Sequence, residues 1–242
     1  MRQAMIFAAG LGTRLKPLTD TMPKALVRVG GQPLLQRVIF RLRDAGVSRM
    51  VVNVHHFAGQ IMDFLKENDN FGLDIRISDE SDRLLETGGG IRKARHFFDR
   101  HKPVLIHNVD ILSNADIDVL YRQAENADAV LLVSDRKTKR YLLFDDDMRL
   151  KGWTHVETGE VKSPYPDLHV ADYRQLAFSG IHLIHPRLFP LMDTFGDKFG
   201  IIDFYLSVCG KCRIQGVTQD GLRLLDVGKQ DTLAAAEEFL KK

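Results

Sequence analysis

The feature that most constrains this chain is its beginning. A short apolar run, Ala4-Met5-Ile6-Phe7-Ala8-Ala9, passes straight into Gly10-Leu11-Gly12-Thr13-Arg14-Leu15-Lys16-Pro17-Leu18-Thr19, and Pro23-Lys24-Ala25-Leu26 follows. The run has the length of a buried strand. A glycine-bearing turn at its exit exposes backbone N–H groups in a concavity suited to phosphate. Without a Cβ, glycine lets the backbone approach the anion closely. Arg14 adds a planar fork of donors and Lys24 a point charge, the two kinds of cation a polyphosphate calls for. Two commoner glycine loops do not fit. A Walker loop needs a lysine directly after its last glycine, and neither Lys16 nor Lys24 follows one. The dinucleotide fingerprint needs glycine where Leu15 stands. The segment predicts a nucleoside triphosphate site formed by Ala9, Gly10, Gly12, Thr13 and Arg14.

Short β-branched runs then alternate with helix-period stretches, which predicts an α/β fold with a mixed, mostly parallel sheet and helices on both faces. Strands are expected at Ala4–Ala9, Met50–His55, Asp74–Ser78, Val104–Asn108 and Ala129–Val133. Helices are expected at Pro33–Ala45, Ala58–Glu67, Gly90–Phe98, Ala115–Ala127 and Thr232–Lys242. Leu35, Val38, Ile39 and Leu42 recur at the spacing of one buried helix face. The stretch Tyr141–Trp153 reads as a β-hairpin turning at Asp145-Asp146-Asp147. Residues Glu157 to Tyr173, with Pro164 and Pro166, read as a long loop over the second half. At 242 residues one large domain is expected, with a nucleotide-binding half at 1–135 and a second half at 136–242.

The formal net charge of +2 argues against an extended nucleic-acid surface. No apolar run is long enough to span a bilayer, so a cytoplasmic location, without membrane, is expected. Cys209-Gly210-Lys211-Cys212 has no second C-x-x-C to complete a zinc site and reads as two reduced thiols near a helix end. The nine histidines show no H-E-x-x-H spacing and read as ordinary polar residues.

Gly10 to Leu26 resembles the signature of the sugar-1-phosphate nucleotidyltransferases, which join an NTP to a sugar 1-phosphate and release pyrophosphate. The likeness continues in order along the chain. Val52-Asn53-Val54-His55 resembles the family's second core strand, and Leu85-Glu86-Thr87-Gly88-Gly89-Gly90-Ile91 its second nucleotide-contacting turn. Val104 to Asp110 is similar to its metal-bearing strand end, Phe178-Ser179-Gly180-Ile181 to its sugar-side strand, and Leu225-Asp226-Val227-Gly228 to the strand end with a second metal ligand. The resemblance implies a single-domain Rossmann-like fold acting as monomer or homodimer.

Nucleotidyl transfer needs no general base, because the attacking sugar phosphate is already anionic. Its demands are positioning and charge stabilisation. Asp110 and Asp226 each close an apolar run, where a carboxylate leaves a strand, and the resemblance implies that they bind Mg²⁺. Arg14 is expected to hold the leaving β- and γ-phosphates, and Lys24 the α-phosphate and the incoming sugar phosphate, as the catalytic cations. Glu86, Thr87 and Gly88 are expected to contact the nucleotide. Asn108, Gly180 and Lys162 are expected on the sugar-phosphate side, although Glu160-Val161-Lys162-Ser163-Pro164 departs from the family's E-K-P spacing by one residue. Val109 stands where the family has glycine, which keeps open a non-catalytic sugar-nucleotide sensor. Within the family, the turn carrying Glu86 is most similar to that of N-acetylmuramate-1-phosphate uridylyltransferases of cell-wall recycling. Mannose- and heptose-1-phosphate guanylyltransferases are the alternative.

Overall fold

The computed structural model describes residues 1–241. Its strands are β1 (Arg2–Phe7), a two-residue pair β2 (Arg28–Val29) and β3 (Gln32–Pro33), β4 (Val47–Val54), β5 (Asp74–Asp79), β6 (Val104–Asn108), β7 (Ile111–Ser113), β8 (Ala129–Ser134), β9 (Arg140–Phe144), β10 (Leu150–His155), β11 (Glu160–Lys162), β12 (Arg174–Ile184), β13 (Ile214–Val217) and β14 (Leu224–Asp226). The helices are α1 (Leu34–Asp44), α2 (Ala58–Glu67), α3 (Glu86–Ala94), α4 (Ile117–Ala124), α5 (Ile201–Val208) and α6 (Asp231–Leu240).

The central sheet has ten strands. One path runs β11-β10-β9-β12-β6-β1-β4-β5, and β8 pairs with β12 on one side and β13 on the other. Strands β6, β1, β4 and β5 are mutually parallel, whereas β12 runs antiparallel to β6, β8 and β9. The parallel strands are buried on both faces, and their alternation divides the core in two. Ala4 and Ile6 of β1, with Met50 and Val52 of β4, face α1, α2, α4 and α6. Met5 and Val51 face the opposite layer, built from α3 and α5.

Local signals explain several boundaries. In α1 the face Leu34, Leu35, Val38, Ile39 and Leu42 is buried, as its spacing predicts. The helix ends where Gly46 takes a φ of +77°, a left-handed position that glycine occupies at little cost. Helix α4 starts at Asp116, whose carboxylate accepts from Asp118 N at 2.8 Å.

Three readings change. The helix expected at Gly90–Phe98 begins four residues earlier, at Glu86, so the glycine triplet lies within its first turns. The stretch expected as a long loop at 157–173 contains the edge strand β11, whose Lys162 pairs with Trp153 of β10. Beyond it, Ser163 Oγ donates to Lys151 O at 2.7 Å, so this part is tied to the ribbon. Helix α5, which ends at Val208 just before Cys209, is foreseen only as the helix end near the two thiols, and the 3₁₀ segment Pro186–Thr194 has no counterpart among the elements predicted. Ile201-Ile202-Asp203-Phe204-Tyr205-Leu206 is rich in strand-forming residues, and only its packing selects a helix. The last residue of the expected C-terminal helix, Lys242, lies outside the described residues. No described helix is long and apolar enough to cross a membrane.

Two histidines prove to be core residues. His107 of β6 and His182 of β12 are buried, and His182 Nδ1 lies 2.7 Å from the Tyr205 hydroxyl. Burial pushes His107 down to about 4 and His182 down to about 3. The unfolded chain takes up these protons near the ordinary value of 6.5, so it binds more protons than the native state between pH 6.5 and about 4. Stability should therefore fall as pH drops through that window, by on the order of 3 kcal/mol per histidine. The buried Glu80 carboxyl, raised by burial, opposes this slope. Urea melts of the wild-type protein and of a His182→Gln variant at pH 7 and pH 4.5 isolate the histidine share. The variant should lose less stability on acidification, and equal losses would contradict a neutral buried His182.

Candidate active site

A cleft of about 520 Å³ opens beyond the carboxyl ends of β1, β4 and β6, where ligands of parallel sheets bind. Ala8, Ala9 and Gly10 leave β1 along its floor, and Gly12, Thr13 and Arg14 form one wall. The loop is held from within: Leu15 N and Thr19 Oγ1 both donate to Gly12 O at 2.8 Å. Gly12 sits at φ +64°, and a Cβ there would lie 2.9 Å from Thr19 Cγ2. The turn is thus a built feature with its own packing.

Lys24 faces the cleft from a short 3₁₀ turn and is only 8% exposed. Its ammonium pairs with the Asp110 carboxylate. Asp110 lies two residues past the end of β6, and the pairing of β7 with β14 brings Asp226 opposite Ile111. Val227 N donates to Asp110 O at 2.8 Å, which locks the two strand ends together. Residues separated by more than a hundred positions therefore present two carboxylates side by side. Burial, and then the charge of Asp110, push the Asp226 carboxyl above the usual range, while Lys24 and Arg14 pull it back. Gly228 completes the corner. A Cβ at that position would lie 2.5 Å from Asp226 Oδ1 and 2.8 Å from Arg14 Nη2, so both side chains fold over a bare backbone.

This donor set fits a divalent cation. Among the described residues no group of three or more histidine, cysteine, aspartate or glutamate side chains converges to form a closed cage. Two hard oxygen ligands at the rim of a phosphate-sized cleft suit Mg²⁺, which is commonly held by one or two carboxylates with substrate phosphates and water completing its shell. Burial and the neighbouring Asp110 charge both disfavour an ionised Asp226, and a cation bound there would offset both.

The second nucleotide wall divides differently from the expectation. Glu86 and Thr87 line the cleft, and Glu86 adopts φ +60° at the start of α3. Gly88 does not line it. Its N–H donates to Phe199 O at 2.9 Å, and a Cβ would fall 2.3 Å from the Phe199 ring. Gly89 and Gly90 are equally crowded, by Asp197 O and by the Glu80 carboxylate. The triplet is glycine because α3 presses against its neighbours. Asn108 also lines the cleft, and Gly180 is seated against it in the bulge of β12 at Ser179-Gly180, with φ +78°. Lys162 is elsewhere. It lies on the β9-β10-β11 ribbon, pairs with Asp203 at 3.1 Å, and lines a separate hollow. The three adjacent acids Asp145-Asp146-Asp147 form a turn, as expected, with Asp145 paired to Lys151 at 3.2 Å.

Two residues at the cleft were not recognised as site residues in the sequence. Asn53 Oδ1 accepts from Ala8 N at 2.8 Å, and its Nδ2 donates to Glu80 Oε1 at 2.8 Å. Glu80 Oε2 accepts from Leu85 N at 3.2 Å. This chain of bonds ties the exit of β1 to the start of α3 across the floor. A glutamate two residues beyond a predicted strand was the available signal, but its partner is 27 residues away.

Comparison with known proteins agrees with this geometry. The family described as nucleotidyl transferase matches residues 3–144. An N-acetylmuramate alpha-1-phosphate uridylyltransferase of Neisseria meningitidis serogroup B is 39% identical, with 97% of this chain and 96% of that protein covered. One of the same description from Caulobacter vibrioides is 32% identical over 98% of this chain and 96% of that protein. Among solved structures, HddC from Yersinia pseudotuberculosis complexed with GMP-PN superposes with a TM-score of 0.77 over 99% of this chain and all of that one, at 22% identity, which bears on the fold alone. On the family match and on relatives similar along nearly their whole length, the chain belongs to the nucleotidyl transferase family.

Proposed function

We propose that this enzyme transfers a uridylyl group from UTP to the phosphate of N-acetylmuramate 1-phosphate, with Mg²⁺. The observation that carries the transferase reading is the convergence of Arg14, Lys24, Asp110 and Asp226 on one corner at the exit of β1. A phosphate oxygen of the sugar 1-phosphate forms a bond to the α-phosphorus of UTP. The bond from that phosphorus to the β-phosphate oxygen breaks, and pyrophosphate leaves with the electron pair. Asp110 and Asp226 would hold Mg²⁺, which would supply positive charge to the phosphates. Arg14 stands over the leaving pyrophosphate and stabilises the charge it gains. Lys24, buried and already facing a carboxylate, offers its ammonium to the α-phosphate and the incoming phosphate. The backbone N–H groups after β1 fix the nucleotide, and the Asn53–Glu80 bonds hold that backbone in place.

The base and the sugar rest on the two full-length relatives and on Glu86 beside the cleft. A site that hydrogen-bonds uracil leaves its polar groups mismatched when guanine enters. UTP should therefore exceed GTP in kcat/KM by at least ~10²-fold. Competition of the two nucleotides at limiting enzyme, with products resolved by mass, checks this. A dominant GDP-sugar product would replace the uridylyl reading with the guanylyl one and leave the reaction class intact.

A further inference from the structure

Beyond Arg14 the cleft continues into a hollow of about 640 Å³, and Arg14 and Asp226 both line it. Arg136, Lys139, Arg140 and Lys229 all face the same space, with Asp226 and Asp231 as its carboxylates. Lys139 is neutralised by Glu157 at 2.9 Å. Arg136 gives one N–H to Phe178 O at 2.9 Å, but among the described residues neither Arg136 nor Arg140 has a carboxylate within 4.0 Å. Some other exposed arginines do have one: Arg83, Arg95 and Arg187 each pair with an aspartate.

The same two arginines edge an ordered platform. Cross-strand pairing sets His155 opposite Arg140 and Trp153 opposite Leu142, and carries the rows on to Glu160 and Lys162 in β11. Residues two apart on a strand share a face, so Arg140, Leu142, Trp153 and His155 lie together on one side of the ribbon. They line a connected hollow of about 530 Å³ that shares Arg136, Thr138, Arg140 and His155 with the first. The Trp153 indole, with the Lys162 ammonium 5.2 Å from its ring centre, gives this hollow an apolar patch edged by polar groups, which suits a sugar ring, apolar on its faces and polar at its rim. The unpaired guanidiniums stand where a substituent of that ring would project. On the reading above, Arg14, Lys24 and the backbone after β1 serve the phosphates of both substrates; Arg136 adds to the positive field at Asp226 across the hollow, and among the described residues neither it nor Arg140 is ion-paired.

We propose that Arg136 and Arg140 bind a carboxylate carried by the sugar, so that this enzyme selects an acidic sugar 1-phosphate over a neutral one. This rests on the sugar-1-phosphate reading above and assigns the residues that set its sugar specificity. A guanidinium fits a carboxylate through two parallel N–H donors. A lysine at either position keeps the charge and loses the fork.

The test compares N-acetylmuramate 1-phosphate with N-acetylglucosamine 1-phosphate, which differ only in the lactyl ether that bears the carboxylate. Arg140→Gln and Arg136→Gln are assayed beside the wild-type enzyme, with thermal melts to confirm folding. A charge-assisted hydrogen bond supports a fall of ~10- to 10²-fold in the acidic-to-neutral ratio of kcat/KM for Arg140→Gln. Arg140→Lys should restore part of it. A ratio unchanged in both glutamine variants, whether both sugars suffer equally or neither does, overturns the proposal. Wild-type enzyme that turns over neither sugar with any nucleotide fails at the earlier step, the transferase reading itself.

Discussion

Asp226→Asn should lower turnover by at least ~10²-fold while leaving the folded protein as stable as wild type, or more so. A cation stabilising the charge on transferring phosphates lowers the barrier by several kcal/mol, and on the proposed reading this carboxylate would be half of its protein ligand set. The stability half of the expectation comes from the same geometry. Asp226 is pushed up by burial and by Asp110, so its charge opposes folding in the absence of a cation, and asparagine removes that charge. Asp110→Asn should behave differently. It costs comparable activity but also strips the buried Lys24 of its counter-ion, and uncompensated buried charges are strongly destabilising. Steady-state assays with melts of both variants separate the two. Removal of divalent cations by EDTA should abolish turnover reversibly. Full activity in either variant would contradict the paired-aspartate site.

Arg14→Ala should lower kcat by at least ~10²-fold with little change in KM for the nucleotide, the loss typical of removing one donor aimed at developing charge. Arg14 is exposed and lies over Gly228, so truncation removes no core packing. Pyrophosphate gains charge only as the bond to the α-phosphorus breaks, and an interaction that strengthens at that moment appears in kcat. A rise in KM at constant kcat would instead make Arg14 an anchor for the bound triphosphate.

How far the sequence discloses this arrangement depends on the range of each interaction. The parallel strands are legible because burial on both faces leaves continuous apolar runs such as Ala4–Phe7 and Val104–Ile106. Ala8 to Lys24 is legible because the chemistry is compressed into one contiguous motif. Gly88 was misplaced for the converse reason. A glycine triplet looks like a ligand-contacting turn, and only contact with Phe199, more than a hundred residues on, shows that packing demands it. Glu80 was passed over because its meaning lies in bonds to Asn53 and Leu85 that no local pattern reports. The region 157–173 lacks periodicity because β11 is three residues long and exposed, held by pairing with β10 and not by an apolar face of its own.

The central claim is a direct transfer at the corner formed by Arg14, Lys24, Asp110 and Asp226. Phosphorus NMR of the enzyme with UTP, N-acetylmuramate 1-phosphate and Mg²⁺ tests it most directly. The account predicts that the sugar phosphate resonance disappears as paired resonances of a diphosphate ester grow, with free pyrophosphate released in equal amount and at least ~10²-fold more slowly in the Asp226→Asn variant. Release of inorganic phosphate in place of pyrophosphate, or a sugar phosphate signal that persists with every nucleoside triphosphate, would contradict it.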